Sequence, residues 1–170
     1  LIQEGAEEAV KVGTDADGSI TLELDGGAFF KPGSADLTDQ AVPVLKSIHE
    51  ELASPIYQSF NISIEGHTDD DPINSLKFPS NWELSSGRAS TVVRFMITEG
   101  MRNTRLKATG FADTRPKFPN RDAQGAPLID NMIANRRVVL RINRKPIYQV
   151  VKIPKFRRKK GDDKKTKSIK

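Results

Sequence analysis

Two short segments of the chain alternate apolar and polar residues, which is the pattern of a β-strand with one buried face. They are residues 20–24 and 60–66. We predict two further strands at residues 106–111 and 138–142, where apolar residues again dominate between turn-forming segments. The pattern therefore predicts four strands.

Two longer segments place apolar residues three and four positions apart, which predicts amphipathic helices. The first begins at Thr38, a candidate N-cap, and ends before Pro55. The second begins near Asn81 and reaches about Glu99, with Gly100 placed to be its C-cap. Their apolar positions are Ala41, Val44, Leu45, Ile48 and Leu52 in the first helix, and Trp82, Leu84, Ala89, Val92, Val93, Met96 and Ile97 in the second.

The elements follow one another in the order strand, helix, strand, helix, strand, strand. This order predicts an α+β fold, a two-layer β-α-β-α-β-β sandwich in which both helices pack on one face of a single mixed sheet. We expect the folded domain at residues 20–143, with a linker before it (1–19) and a tail after it (144–170). Within the domain, residues 112–133 are expected to form a long loop.

The net charge of +5 hides an uneven distribution of charge along the chain. Residues 144–170 carry 12 Lys/Arg and 2 Asp/Glu, which leaves 15 Lys/Arg and 20 Asp/Glu in residues 1–143. The expected domain is therefore mildly acidic, and only the tail is basic. Because aromatic residues are sparse in the tail and no recognition module accompanies it, we expect a solvated segment and no nucleic-acid binding.

The composition also excludes several classes of protein. The chain has no cysteine, which excludes cysteine nucleophiles, thiolate zinc sites and disulfides. No apolar run approaches the roughly 18–20 residues that cross a bilayer. The chain starts at Leu1 without an initiator methionine or a signal-like segment, so we expect it to be a piece of a longer protein.

The most informative polar residues lie within residues 62–95. A strand ends there in a polar loop around Asp69, and a helix then opens near Asn81, with Arg88 seven residues later on the same helical face. A carboxylate, an amide and a guanidinium would thus surround one concavity, which suits a ligand with both an ammonium and a carboxylate. Taken singly, Asp69 could instead cap its own turn, and Arg88 could face solvent.

The same loop raises the alternative of a metal-dependent hydrolase, through His67, Asp69, Asp70 and Asp71. Such a site generally needs three or more converging ligands, and the other histidine, His49, lies on the first predicted helix. We therefore expect no metal, no cofactor and no enzymatic activity.

Five motifs, in order along residues 20–143, resemble the OmpA-like family of peptidoglycan-binding domains. They are residues 66–69 (Gly-His-Thr-Asp), 81–85 (Asn-Trp-Glu-Leu-Ser), 88–89 (Arg-Ala), 110–111 (Gly-Phe) with Pro116 soon after, and 135–138 (Asn-Arg-Arg-Val). Each motif is weak alone, but all five at the spacing of one domain are specific. The resemblance implies the sandwich fold predicted above and noncovalent binding to the cell wall.

Within that family, residues 71–86 resemble the flagellar stator B-subunits, the MotB and PomB proteins. The marks are Pro-Ile after the acidic loop and the run Phe-Pro-Ser-Asn-Trp-Glu-Leu-Ser. This resemblance implies the periplasmic domain of a single-pass inner-membrane protein that forms homodimers, pairs with a MotA-like channel subunit and anchors the flagellar motor to peptidoglycan. A general outer-membrane or lipoprotein wall anchor of the same family is the alternative.

The resemblance also implies a role for each residue of the site. The ligand would be the diaminopimelate side chain of the wall peptide, with its ammonium on Asp69 and its carboxylate held bidentately by Arg88. The residues expected around these two are Thr68, Asn81, the Leu84 backbone and Arg136. Two positions depart from the family pattern, Asp70 where Asn is more usual and Gly87 in place of Ala.

Three of these assignments have alternatives. Asn81 would bind the ligand through its amide, and it is also a natural helix N-cap. Arg136 and Arg137 are adjacent, and we expect Arg136 to face the ligand and Arg137 to form a structural ion pair. Trp82 is expected to be a core residue and not a platform for the ligand.

Overall fold

Residues 8–144, which the computed structural model describes, contain a five-stranded mixed sheet. The strands are β1 (Val10–Thr14), β2 (Ile20–Asp25), β3 (Asn61–His67), β4 (Leu106–Gly110) and β5 (Arg137–Asn143). They lie in the order β1-β2-β5-β3-β4, and all neighbours are antiparallel except β3 and β4. The predicted mixed sheet is confirmed. The predicted basic tail, apart from its first residue, lies outside the described residues.

Two long helices pack on one face of this sheet, which confirms the predicted α+β sandwich. The long helices are α2 (Ala41–Ala53) and α3 (Asn81–Thr98), and two short helices are α1 (Gly26–Phe29) and α4 (Ile129–Asn135). Helix α2 ends where Ser54 turns extended before Pro55, and α3 ends just before Gly100, whose φ of +105° suits glycine. No helix in the described part of the chain is long and apolar enough to span a membrane.

The core lies between the sheet and the two long helices. The strands contribute Leu24, Ile62, Ile64, Leu106, Val138, Leu140 and Ile142, and the long helices contribute Ala41, Leu45, Ile48, Leu52, Ala89, Val92 and Met96. Phe29 and Phe30 are buried in the same cluster. Each large aliphatic or aromatic side chain contributes roughly 1.5–3 kcal/mol on burial, so this layer is the main source of stability.

Strand β1 was not predicted, because it lies in the segment 1–19 that we expected to be a linker. It is an edge strand and pairs antiparallel with β2, beginning with Val10 opposite Leu24. Val10 is its one buried residue, and Val12 is 69% exposed. Because an edge strand buries so little, the alternation that reveals a strand in a sequence is weak here. The linker interpretation is wrong for residues 10–14.

Helix α4 was also missed; it begins within the segment 112–133 expected to be a loop and ends two residues after it. The helix is only seven residues long, and its Ile129 and Ile133 are exposed, so no apolar stripe marks a buried face. Its position depends instead on Asn135, whose fully buried side chain forms hydrogen bonds with the preceding loop. Such long-range contacts leave no local pattern in the sequence.

The N-caps of both long helices differ from the prediction, although α3 begins at Asn81 as predicted. Thr38 is not the N-cap of α2, although its hydroxyl accepts a hydrogen bond from the N–H of Ala41 at 3.2 Å. Helix α3 is capped by Ser80, whose hydroxyl accepts from the N–H of Trp82 at 3.2 Å. The prediction that Asn81 is the N-cap is therefore wrong, and the Asn81 side chain is left to make other contacts.

Glycines at the ends of β3 and β4 allow α3 to approach the sheet closely. A Cβ on Gly66 would collide with the carbonyl oxygen of Ser85, and a Cβ on Gly110 would collide with Ser86. The Ser85 hydroxyl also accepts the N–H of Ala112 at 3.0 Å. The first turns of α3 are thus held against the loops that follow β3 and β4, where the predicted site residues lie.

Candidate ligand-binding site

Asp69 lies in the loop that follows β3 and is only 6% exposed. Its Oδ2 accepts a hydrogen bond from the guanidinium of Arg136 at 2.6 Å, and its Oδ1 accepts from the N–H of Asp71 at 3.2 Å. Thr68 fixes the loop, because its N–H donates to the Ala112 carbonyl (2.9 Å) and its hydroxyl donates to the Asp69 carbonyl (2.8 Å). Asp69 therefore both caps its turn and forms an ion pair.

Arg88 is a buried cation on α3, with 6% of its surface exposed. Its Nε donates to the Ser34 carbonyl at 2.9 Å, and its guanidinium lies 5.1 Å from the centre of the Phe30 ring. Within the described part of the chain, no carboxylate lies within ion-pair distance of it. Burial, helped by the charge of Arg136 and opposed by that of Asp69, lowers the pKa of Arg88 to about 10. It remains charged at neutral pH.

The two adjacent arginines at the start of β5 have different surroundings. Arg136 leaves 41% of its side chain exposed and pairs with Asp69. Arg137 is 11% exposed, lies 3.9 Å from a carboxylate oxygen of Glu23, and donates to the Arg115 carbonyl at 3.1 Å. Burial lowers the pKa of Arg137, while Glu23 opposes that shift. Arg137 is thus the structural ion pair, and Arg136 is the arginine beside Asp69.

Asn81 holds the acidic loop against the start of α3. Its Nδ2 donates to the Asp71 carbonyl at 2.9 Å and to the Asp69 carbonyl at 3.4 Å. The amide predicted to meet a ligand therefore fixes the backbone that carries the Asp69 carboxylate. Because both acceptors are main-chain carbonyls, this contact positions the loop regardless of its charge.

Leu84 belongs to a small apolar cluster with Ala35 and Phe78. Its N–H donates to the Ser80 carbonyl at 3.3 Å, so this backbone donor is already used. Gly87 makes room for the same cluster, because a Cβ at that position would lie 3.0 Å from the Phe78 ring. The departure from Ala noted in the sequence therefore has a packing explanation.

Trp82 is not a core residue, contrary to the prediction. Trp82 follows Asn81 at the start of α3, and 51% of its surface is exposed. The buried residues of this helix are Leu84, Ser85, Arg88, Ala89, Thr91, Val92 and Met96. Trp82 lies off that stripe, because a helix start needs only part of its first turn to face the core.

Arg121 is a charged neighbour of the site that the sequence did not reveal. Its Nε lies 2.7 Å from Oδ2 of Asp70, and its Nη2 lies 3.2 Å from Oδ1 of Asp70 and 3.0 Å from Oδ1 of Asp71. The hydrogen bond and the charge of Asp70 raise the pKa of Arg121. The partners are about fifty residues apart in the chain, so no local spacing connects them. The one available signal was the unusual Asp70.

The residues considered for a metal site do not form one. Among residues 8–144, no group of three or more His, Asp or Glu side chains is arranged to hold a metal ion. His67 is instead buried on the ring of Phe111, with ring centres 5.3 Å apart, and its Nε2 lies 3.9 Å from Glu65. Burial lowers the pKa of His67, while the contact with Glu65 opposes that shift.

Asp69, Arg88 and Arg136 together place one carboxylate and two guanidinium groups at the end of the sheet. The single ion pair among them leaves one positive charge in excess, and that charge is largely shielded from water at Arg88. Hydrogen bonds between a guanidinium and a carboxylate are strong and frequently bidentate. The arrangement is therefore suited to a small anion, with Asp69 able to accept from a cation beside it.

Comparison with known protein families identifies relatives of this domain. A model described as the OmpA family matches residues 29–129. Motility protein B of Bacillus subtilis (strain 168) is 32% identical over 107 residues, which covers 62% of this chain and 40% of that protein. The chain spans about half the length of the curated relatives that it matches.

Solved structures share the fold along most of the chain. The crystal structure of a MotB-like protein from Desulfovibrio vulgaris has a TM-score of 0.72 and 32% identity, and covers 83% of this chain and 85% of that one. The cell wall anchor of the T6SS from Pseudomonas aeruginosa has a TM-score of 0.69 and 29% identity, covering 81% and 90%. The OmpA-like and MotB family is one of non-enzymatic structural domains, which agrees with the prediction of no enzymatic activity.

Proposed function

Because the chain belongs to the OmpA family, we propose that it binds peptidoglycan noncovalently and anchors a flagellar motor stator to the cell wall. The similarity to Motility protein B and to a MotB-like structure supports the stator assignment. The similarity to a protein described as a cell wall anchor supports the wall as the partner.

The observation that carries this proposal is the charge of Arg88. A buried arginine is usually paired with a carboxylate, because removing a cation from water is costly. Arg88 has a carbonyl and an aromatic ring as its contacts, and the charge of Arg136 adds to its own. A carboxylate supplied by a ligand would offset this excess of positive charge. A purely structural arginine would gain more from an acidic partner within the fold.

The diaminopimelate side chain supplies the matching groups. Its carboxylate would accept hydrogen bonds from Arg88 and Arg136, while its ammonium would donate to Asp69. Asp69 already accepts from Arg136 and from the Asp71 N–H, but a carboxylate has about four acceptor positions and can take a further donor. Each charge-assisted contact would contribute roughly 1.5–3 kcal/mol.

In the complete protein, this domain would lie in the periplasm and belong to a single-pass inner-membrane protein. Its partners would be a second copy of the same protein and a MotA-like channel subunit, and its ligand would be peptidoglycan. No cofactor is required, because the function is mechanical. A stator can turn a rotor only when a fixed structure resists the reaction force, and the cell wall is that structure.

A general wall anchor that serves another envelope machine is the second candidate. The T6SS wall anchor favours it, because its fold similarity and its identity are close to those of the MotB-like protein. Both candidates share the ligand and differ in the machine attached. Loss of swimming, with normal flagellar assembly, in cells that carry a binding-deficient variant would support the stator and exclude the general anchor.

Ligand binding can be tested by calorimetry with a muropeptide that contains diaminopimelate. A stem peptide with lysine in its place lacks the side-chain carboxylate, and we expect it to bind about 10–100-fold more weakly if Arg88 and Arg136 hold that group. Arg88→Met should cause a loss of similar size. Its melting temperature should stay within ~2 °C of wild type or rise, because the variant removes a buried unpaired charge.

Arg94→Met is the matched control, since Arg94 is an exposed arginine on the same helix. It should bind the muropeptide as the wild type does. Equal affinity for the lysine and diaminopimelate peptides would contradict the proposed contact. Unfolding of Arg88→Met would instead assign Arg88 a structural role.

A further inference from the structure

We infer that Arg121 is a positioning residue for the proposed peptidoglycan site: its ion pairs with Asp70 and Asp71 hold the acidic loop in place and offset one of its three negative charges. This inference rests on the proposed function. It goes beyond that function, because Arg121 is not itself a proposed ligand contact.

Arg121 contacts the two carboxylates that follow the proposed ammonium acceptor, Asp69, in the chain. Its Nε and Nη2 bind the two oxygens of Asp70, and the same Nη2 also reaches Asp71. These donors are therefore occupied by the protein. Asn81 holds the same loop from the side of α3 through main-chain carbonyls. The loop that presents Asp69 is thus fixed from two sides, by an amide and by a guanidinium.

Arg121 lies in a hairpin that is closed by a β-bridge and hydrogen bonds. Arg121 and Pro127 form a β-bridge, and the N–H of Asp122 donates to the Ala126 carbonyl at 2.9 Å. The Asp122 carboxylate accepts from the N–H groups of Gln124 (2.9 Å) and Ala126 (2.8 Å). Because the hairpin is closed by its own hydrogen bonds, the backbone that carries the Arg121 side chain is held in place.

The base of this hairpin is fixed relative to Arg136. Asn135 is fully buried and directly precedes Arg136 in the chain. Its Nδ2 donates to Oδ1 of Asn120 and to the Phe118 carbonyl, both at 2.8 Å. Asn120 is the residue before Arg121. One buried side chain therefore sets the position of the hairpin that carries Arg121 and of the arginine that pairs with Asp69.

The charges explain why the site needs this residue. Three consecutive carboxylates, at residues 69–71, adjoin a site that is proposed to accept a ligand carboxylate. Without a counter-charge, Asp70 and Asp71 would repel that ligand and compete for the guanidinium of Arg136. Arg121 binds both carboxylates, offsets one of their two charges, and leaves Asp69 as the acceptor for the ammonium. Since Arg121 is 39% exposed, its ion pairs add little to the stability of the fold.

The test compares four variants by calorimetry with the diaminopimelate muropeptide. We expect Arg121→Gln to weaken binding about tenfold, and Arg121→Lys to retain part of the affinity because it keeps the charge. Arg102→Gln removes the same charge from an exposed residue beyond the far end of α3 and should leave binding unchanged. All melting temperatures should stay within ~2 °C of wild type.

The fourth variant combines Arg121→Gln with Asp70→Asn. Because the single Arg121→Gln variant leaves the Asp70 charge without its partner, the second change should recover the part of the affinity that this unpaired charge removed. Absence of recovery would place the effect outside this ion pair and overturn the inference. A large loss of melting temperature shared by Arg121→Gln and Arg121→Lys would also overturn it, since Arg121 would then act on stability alone.

The outcomes separate this inference from the proposed function. Wild-type protein that binds the muropeptide, with Arg121→Gln binding equally well, would overturn the role of Arg121 and leave the wall anchor intact. Wild-type protein that does not bind the muropeptide would overturn both.

Discussion

At the scale of single residues, the site combines groups that sequence spacing can relate with groups that it cannot. Asn81 and Arg88 are seven positions apart on one helix, so their shared face follows from helical geometry. The placement of Asp69 and Arg136 in one site was accessible only through motifs that resemble a family, and their direct ion pair was not predicted. Arg121 belongs to no such motif, and it reaches the acidic loop from a hairpin whose geometry depends on hydrogen bonds between distant residues.

His67 gives a prediction about pH at the same scale. It is 3% exposed, its Nδ1 has no hydrogen-bond partner, and burial lowers its pKa, with Arg137 and Arg115 acting in the same direction and Glu65 opposing. The unfolded chain therefore takes up a proton first as the pH falls below about 6.5, so the stability linked to neutral His67 is lost on acidification.

His67→Phe keeps a flat ring against Phe111 and removes the titrating group. We expect its free energy of unfolding in urea to match that of wild type at pH 7 and to exceed it at pH 5. An equal loss of stability in both proteins between pH 7 and pH 5 would show that His67 does not contribute to acid sensitivity.

At the scale of elements, hydrophobic periodicity predicted the helices and strands that bury an apolar face in the core. Helices α2 and α3 each present an apolar stripe to the sheet, so their sequences carry the signal. Strand β1 and helix α4 were missed because one is an edge strand with a single buried residue and the other exposes its isoleucines. The N-cap of α3 was misplaced by one residue, since Ser80 and Asn81 are both good caps and only the backbone decides between them.

The close contact between β3 and α3 predicts a large effect of Gly66→Ala. The new methyl group would collide with the Ser85 backbone, which cannot rotate away as a side chain can. We expect a loss of about 1–3 kcal/mol in the free energy of unfolding, and weaker muropeptide binding because the start of α3 must shift.

Ser63→Ala, on the opposite face of β3, is the control and should stay within about 0.5 kcal/mol of wild type. Urea unfolding and calorimetry measure the two quantities. Wild-type stability in Gly66→Ala would mean that the helix can move outward without cost, contrary to the packing described.

At the scale of the whole molecule, the sheet, the core and the proposed site are all formed by residues within 8–144. Charge divides the chain in the same way, because the basic residues concentrate in 144–170 and leave the remainder acidic. The two parts therefore differ in the interactions that they can make. The described fold and the residues of the proposed site belong to the acidic part.

A protein that ends at Arg144 should consequently keep both properties. We expect its melting temperature to lie within ~2 °C of the full chain and its affinity for the diaminopimelate muropeptide to be unchanged. The matched measurement compares the retention of the truncated protein and the full chain on whole peptidoglycan at low salt, where basic residues add salt-sensitive attraction to anionic surfaces. Loss of muropeptide affinity on truncation would mean that residues after 144 take part in the site.

The position of β1 has a mechanical consequence for a proposed anchor. Its first pair, Val10 with Leu24, lies at the same end of the sheet as Arg136, and the Gly26 N–H next to that pair donates to the Arg136 carbonyl at 2.8 Å. Tension between the preceding chain and a wall-bound site would therefore run across the strands, so that β1 peels from β2 one hydrogen bond at a time. The edge strand would then extend under load while the core beside the proposed site stays closed.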